Sequence, residues 1–288
     1  RLQATPTVRY DSYTPLSTDR TSLDSNAIDE ERLGLKLEYV FDNTRHIDND
    51  IKNGTRYKFW VDVSKKFYLN LTDKFSFSLG DNFLGIFGFD VRHYQRILKH
   101  SVLAIRAAGA LSFGSEKTLF VLGGVDNQIN ASYNSDITTP PGNYAFQTLA
   151  ANMRGFDRNI RNGTSYALIN TELRVPIFQY LADHPLSSSF WRNAMVVGFL
   201  DVGTAWHGSN PFRRENPLNT ITKPDLPDRA NAPVVITINY FKDPVVLGYG
   251  VGGRIFLFGY TLRADYGWGI ETRVVQKPMW HFALGTDF

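Results

Sequence analysis

The residue types able to do chemistry in this chain are mainly arginines and carboxylates, because 288 residues include no cysteine. Disulfides and thiolate metal sites are therefore excluded. The histidines His46, His93, His100, His184, His207 and His281 fall at no i,i+4 spacing and beside no patterned carboxylates, so no zinc site is expected. Gly248-Tyr-Gly-Val-Gly-Gly253 imitates a dinucleotide-binding loop, but an alternating strand runs straight through it and no helix follows. Asp48–Gly54 resembles the start of a calcium loop without the closing glutamate, and reads as a polar turn. With no Ser/His/Asp set or isolated carboxylate pair, the expectation is no catalytic residue, no metal, no cofactor and no enzyme. One stretch stands apart: Met153-Arg154-Gly155-Phe156, an arginine on a glycine-backed turn inside the polar segment 124–164. Taken alone, Arg154 reads as a solvated loop residue; a loop nevertheless seldom needs a specific Arg-Gly-Phe.

The elements around that stretch are alternating strands. Leu33, Leu35, Leu37, Tyr39 and Phe41 point one way, with Gly34, Lys36, Glu38 and Asp42 opposite, the period-two signature of a half-exposed strand. The same pattern recurs near residues 57–63, 84–97, 103–113, 165–177, 194–206, 246–258, 262–270 and 280–288, which gives about nine strands. It turns Asn170, Glu172, Arg174, Asp201, Arg254, Arg263, Asp265 and His281 toward the polar face. Such inward charges are expected to pair across strands. Residues 1–32 show no lasting periodicity and read as the loop or tail of an upstream strand pair. Residues 33–288 form the strand domain, interrupted by two long loops, 114–164 and 207–245, and by a link over 68–83.

An all-β fold follows, and two versions of it compete. In a soluble sandwich the apolar faces meet in a core; in a transmembrane antiparallel β-barrel they meet lipid and the charges line the interior. Three features favour the barrel. The strands run about 10–14 residues, as crossing a bilayer requires. Tyr57, Trp206, Trp268 and Trp280 sit near the ends of apolar faces, and short links alternate with long ones. A closed single-chain barrel has an even strand number, so further strands are expected upstream of a chain that begins at Arg1, read here as a processed or truncated product. The net charge of +3 is spread without a basic block, which argues against nucleic acid as partner.

From Leu33 to Phe288 the chain resembles the C-terminal barrel of the BamA/TamA outer-membrane assembly superfamily, surface-antigen type. Tyr39-Val-Phe-Asp-Asn43 followed by Asn53-Gly-Thr55 looks like an early turn of that family, and Met153-Arg-Gly-Phe156 like its signature loop motif. Glu172-Leu-Arg-Val-Pro176, Phe199-Leu-Asp-Val-Gly203, Gly248–Arg254, Arg263-Ala-Asp-Tyr-Gly267 and the terminal Phe288 follow in the family's order. Asn143-Tyr-Ala-Phe146 and Phe199–Trp206 look like its Bacteroidetes branch. Met153 departs from the usual aliphatic residue at its position.

The resemblance implies a barrel of about sixteen strands in the bacterial outer membrane. It implies that the 114–164 loop folds inward and that Arg154, Gly155 and Phe156 form a loop lock with Glu172, Asp201 and Phe199. The last strand, with Trp280, Phe282, Leu284 and Phe288, would be one side of a seam that opens laterally and offers an edge to incoming strands. The implied function is to assist folding and insertion of other outer-membrane proteins or to translocate polypeptide. Its partners would be membrane lipid, unfolded or nascent outer-membrane proteins, and periplasmic or lipoprotein accessory subunits. The alternative is a dedicated export pore for a single partner or appended domain.

Overall fold

The structure, a computed structural model, describes residues 1–13, 28–48, 51–70, 76–137, 139, 142–150, 152–182, 184, 186–212, 218–223, 233–257 and 259–285. The fold is mostly antiparallel β-sheet. In chain order its first strands are β1 (Leu2–Tyr13), β2 (Ile28–Asp42), the short β3 (Arg45–Asp48), β4 (Ile51–Asn70), β5 (Ser76–Arg96) and β6 (Val102–Gly114). Three small strands follow, β7 (Lys117–Leu122), β8 (Tyr144–Leu149) and β9 (Arg161–Gly163). Then come β10 (Ser165–Val175), the single-turn helices α1 (Ile177–Leu181) and α2 (Ser189–Asn193), and β11 (Met195–Trp206). The chain continues with β12 (Leu218–Lys223), β13 (Ile236–Phe241), β14 (Val245–Leu257), β15 (Tyr260–Glu271), β16 (Val274–Val275) and β17 (Met279–Leu284). No helix among the described residues is long and apolar enough to cross a membrane, which leaves strands as crossing elements untouched.

The main sheet runs β1-β2-β4-β5-β6-β10-β11-β14-β15, with β16 and β17 both against β15 and β3 against β4. Its two faces are inverted relative to a soluble sheet. Leu35, Phe59, Ile169, Val251 and Phe282 are 40–54% exposed, whereas Asn170, Glu172, Asp201 and His281 on the other face are fully buried. Alternation thus assigned the faces correctly, and the apolar one is the exposed one, as the preferred reading expects. Aromatic rings line that outer face: Tyr249 stacks on Trp268 across β14 and β15 with ring centres 5.7 Å apart, Tyr266 lies 4.8 Å from Trp280 across β15 and β17, and Trp280 stacks on Phe282 along β17 at 5.6 Å.

The polar face is covered by the chain itself. Beyond β6, a small sheet of order β8-β7-β9 lies across it. Leu122, Met153, Phe156 and Ile160 from this segment pack with Tyr166, Leu168, Ala205 and Val246 of the main sheet in one buried apolar cluster. The segment 115–164 therefore carries its own hydrophobic anchor onto an otherwise charged surface, which is what brings Arg154 within reach of the wall.

Several expectations need correction. Residues 1–32 are not simply a tail: β1 occupies Leu2–Tyr13, and β2 already begins at Ile28. In β1 the apolar-side residues are Leu2, Ala4, Pro6, Val8 and Tyr10, too weak and too interrupted by proline to read as a strand; β1 is an edge of the sheet, where proline is tolerated. Among the described residues the main sheet has twelve strands rather than about nine, the extra members being β1 and the short β3 and β16. Closure is not present either: among the described residues β1 and β17 are the two edges of an open sheet and do not pair. Residues 68–83 are largely strand, because β4 and β5 continue past their neighbours as a projecting hairpin, Phe67 to Asn70 pairing with Leu79 to Ser76. Both long loops also contain strands, β7–β9 in the first and the antiparallel pair β12–β13 in the second.

Candidate functional site

Arg154 reaches the sheet because the turn around it has a fixed shape. Met153 N–H donates to Gly124 O at 2.8 Å and Gly124 N–H donates to Phe156 O at 3.0 Å, so Gly124 holds the turn on both sides. Met153 and Phe156 are buried in the apolar cluster and flank the arginine. Gly155 has φ of +85° and lies against the Trp268–Gly269 backbone, where an added Cβ would come within 2.6 Å of the Trp268 carbonyl carbon. Only glycine meets both conditions. The sheet makes room in turn: a Cβ on Gly248 would collide with the Arg154 carbonyl oxygen, and one on Gly269 with the Phe156 ring. The glycine-rich strand that imitates a nucleotide loop is a recess for this turn.

The guanidinium is fully buried, and each of its three nitrogens donates to a carboxylate. Its Nε donates to Asp201 Oδ2 and its Nη2 to Asp201 Oδ1, each at 2.7 Å, while the Arg154 backbone N–H also donates to Asp201 Oδ2 at 3.1 Å. Nη1 donates to Glu172. The Phe199 ring lies beneath the guanidinium, 4.0 Å from its centroid. β10 and β11 create this arrangement by register, since Asn170 faces Asp201 and Glu172 faces Phe199 across the pair. The structure thus brings together the predicted set Arg154, Gly155, Glu172, Phe199 and Asp201, with Phe156 packed alongside.

Further groups complete the charge balance. Asn170 Nδ2 donates to Asp201 Oδ1 at 2.8 Å. Arg174 Nε donates to Glu172 Oε2 at 2.8 Å, and Arg254 Nη1 to Asp265 Oδ1 at 2.6 Å. Arg254 also lies 3.5 Å from Glu172, and Asp265 lies 4.0 Å from Arg154. Three arginines therefore face three carboxylates in one buried network, as charges removed from water require. Burial opposes the charge on Arg154, but Asp201 and Glu172 outweigh it, so the guanidinium's pKa is raised above the ordinary arginine range. Arg263, predicted to face inward, does so and donates to Asp126 O at 2.7 Å.

Other parts of the site were not legible. His281 Nε2 on β17 accepts a hydrogen bond from Gly155 N–H at 2.9 Å, which ties the last strand to the arginine turn. Glu116, at the start of the covering segment, accepts from Arg32 at 2.5 Å and pairs with Lys66 at 2.9 Å; both cations also meet Glu30, at 2.8 and 2.6 Å. Phe146 of β8 sits beside two guanidinium groups, Arg9 at 3.8 Å and Arg32 at 5.0 Å from its ring centre. Arg161 closes the far end by pairing with Glu271 at 2.7 Å. The weak alternation in residues 2–10 is the signal that bears on Phe146, because it marks β1, the strand of Arg9, as a wall element; no such signal pointed to Glu116, whose partners lie on β2 and β4.

Of the predicted terminal-strand residues, Trp280, Phe282 and Leu284 are exposed on the apolar face of β17; Phe288 lies outside the described residues. Among the described residues no group of three histidine or acidic side chains is arranged to hold a metal. The arrangement offers directional ion pairing with no nucleophile beside a base: it can hold a segment of chain in place. Neither a protein-family model nor a curated protein matches this chain.

Proposed function

We propose that this chain is the C-terminal part of a transmembrane β-barrel of the BamA/TamA type in the bacterial outer membrane, which assists folding and insertion of other outer-membrane proteins or passes polypeptide across the membrane. The observation that carries the reading is the seating of Arg154 between Glu172 and Asp201, on two neighbouring strands, inside a sheet whose outer face is apolar. An outward apolar band with cross-strand aromatics suits hydrocarbon and its interfaces, and a polar, internally paired inner face suits a barrel interior. In this reading the segment 115–164 is an external loop folded into the barrel, and the Arg154 network fixes it to the wall. Upstream strands would complete the barrel, and periplasmic or lipoprotein subunits would deliver its substrates.

Depletion of the full-length protein tests the function. A fall in many unrelated outer-membrane proteins is the expected result. Loss of one secreted substrate with an unchanged outer-membrane profile would replace assembly by dedicated export. Release of the protein from membranes by alkaline carbonate would overturn the barrel itself.

A further inference from the structure

Among the described residues β17 pairs with β15 on one side only, from Met279–Gly267 to Leu284–Leu262. Its other side does not stand open. Ile129 N–H donates to Phe282 O at 2.7 Å, and Leu284 N–H donates to Asn127 O at 3.4 Å. Before them along β17 the Asn130 side chain acts as a detached peptide group: Nδ2 donates to Trp280 O at 2.7 Å, and Oδ1 accepts from Phe282 N–H at 3.0 Å. A primary amide carries the same donor and acceptor as a backbone unit, so the substitution is chemically exact in kind. Gln128 and Ala283 complete the contact as an antiparallel bridge. Residues 127–130 thus meet β17 as a further strand would, from Trp280 to Leu284.

We propose that residues 127–130 are a built-in cap on the outer edge of β17, occupying the backbone positions that any added strand needs, so that the cap must leave before this edge can pair. An uncapped strand edge is a template for pairing with another chain, and proteins cover such edges. This cover is made to be displaced. It spans a few residues, ends at Asn127 with φ of +54°, and uses a side chain where a strand would use backbone. A full strand laid along Met279–Leu284 would supply a continuous ladder instead and would outcompete it.

The cap is also joined to the arginine turn. Gly124, bonded to both Met153 and Phe156, lies just before it in the chain, and Asp126 N–H donates to Asn152 Oδ1 at 2.7 Å. Arg263 of β15 holds Asp126 O, and His281 of β17 holds Gly155 N–H. Cap and turn therefore grip β17 from two directions, along its edge and on its polar face. Withdrawal of the segment that carries Arg154 would uncover the edge, which makes the loop a competitor in cis for whatever strand adds there.

Occupancy of the β17 edge can be tested independently of any assembly activity. Because the chain has no cysteine, Gln128→Cys with Ala283→Cys gives a single engineered crosslink across the bridge. The probe is a biotinylated synthetic peptide copying Tyr260–Glu271, the strand that already pairs with β17, applied to purified full-length protein in detergent. Asn130→Ala removes two edge hydrogen bonds and should raise peptide capture, and amide exchange at Phe282, about tenfold. The disulfide should abolish capture and reductant should restore it. Equal capture by locked and reduced protein, or unchanged Phe282 exchange in Asn130→Ala, would overturn the cap. Should the double cysteine variant fail to fold, Asn130→Ala decides alone. Depletion phenotypes bear on the proposed function and leave these readouts untouched.

Discussion

Besides the Arg161–Glu271 pair, the covering segment grips the sheet through two larger ion clusters of opposite polarity. At Arg154 the segment supplies the cation and β10 and β11 supply the acids; at Glu116 it supplies the acid and β2 and β4 supply Arg32 and Lys66. The first cluster is wholly buried and built on a planar fork over an aromatic floor. In the second, Lys66 and Glu30 each remain 21% exposed, and one of its cations is a flexible ammonium. A guanidinium fork fixes orientation as well as distance, whereas an ammonium fixes little beyond charge. The Arg154 cluster therefore sets the register of the segment against the wall, and the Glu116 cluster tethers its entry. Opposite polarity adds discrimination, because a segment seated at the wrong cluster would put like charges together.

The largest expected effect follows from removing the cation at the first cluster. Arg154→Ala leaves Glu172 and Asp201 buried with fewer positive partners, a loss of about 3–5 kcal/mol in holding the loop. Thermal unfolding in detergent should shift down, and protease should reach residues 124–164 while the main sheet persists. Arg154→Lys keeps the charge without the fork and should recover only part of that loss. Wild-type protease resistance in Arg154→Ala would break the comparison at its stronger side.

Next in size is Gly248→Ala. The new Cβ would occupy the position of the Arg154 carbonyl oxygen, so the turn or the strand must shift. Overpacking of this kind costs about 1–3 kcal/mol. The charges are untouched, so this variant separates the seat from the ion pairs: loosened loop with normal electrostatics is the expected result. A variant as stable as wild type would show that the turn has room the glycine recess does not suggest.

Glu116→Gln probes the second cluster. Arg32 and Lys66 lose one carboxylate but keep Glu30, so the expected cost is smaller, about 1–2 kcal/mol. Hydrogen exchange should rise over 116–122 and stay unchanged at 152–156. Parallel rises in both places would mean that the two clusters act as one, against the division drawn above.

The contrast between the clusters also shows what sequence can carry. Glu172 and Asp201 were legible as inward residues because leucine, isoleucine and valine alternate strictly around them. The link from Arg154 to those acids needed the family resemblance, since periodicity says nothing about where a loop folds. Arg32 lay within the stretch read as a tail, because the charged run Asp29-Glu-Glu-Arg32 hides the start of β2, and its partner Glu116 was therefore invisible. The cap on β17 was further out of reach: Asn130 and Trp280 are 150 positions apart and meet through a side-chain amide. Strand number suffered for a related reason, as short β3 and β16 are pieces of turns that happen to pair.

Phe146 offers the finest division between register and tether. Its ring lies between the guanidinium groups of Arg9 on β1 and Arg32 on β2, so it joins the covering segment to the edge of the sheet through ring faces rather than charge. A cation over an aromatic face is worth about 0.5–1 kcal/mol at a partly exposed site. Phe146→Leu keeps most of the apolar volume and removes the quadrupole, so the expected change is of that size and confined to β1 and β8. Amide exchange at residues 5–9 should rise a few-fold, with Arg154 and its acids unaffected. If exchange at 152–156 rose as well, the small β8-β7-β9 sheet would be a rigid link between the clusters, and register at Arg154 would depend on a contact at the opposite side of the fold.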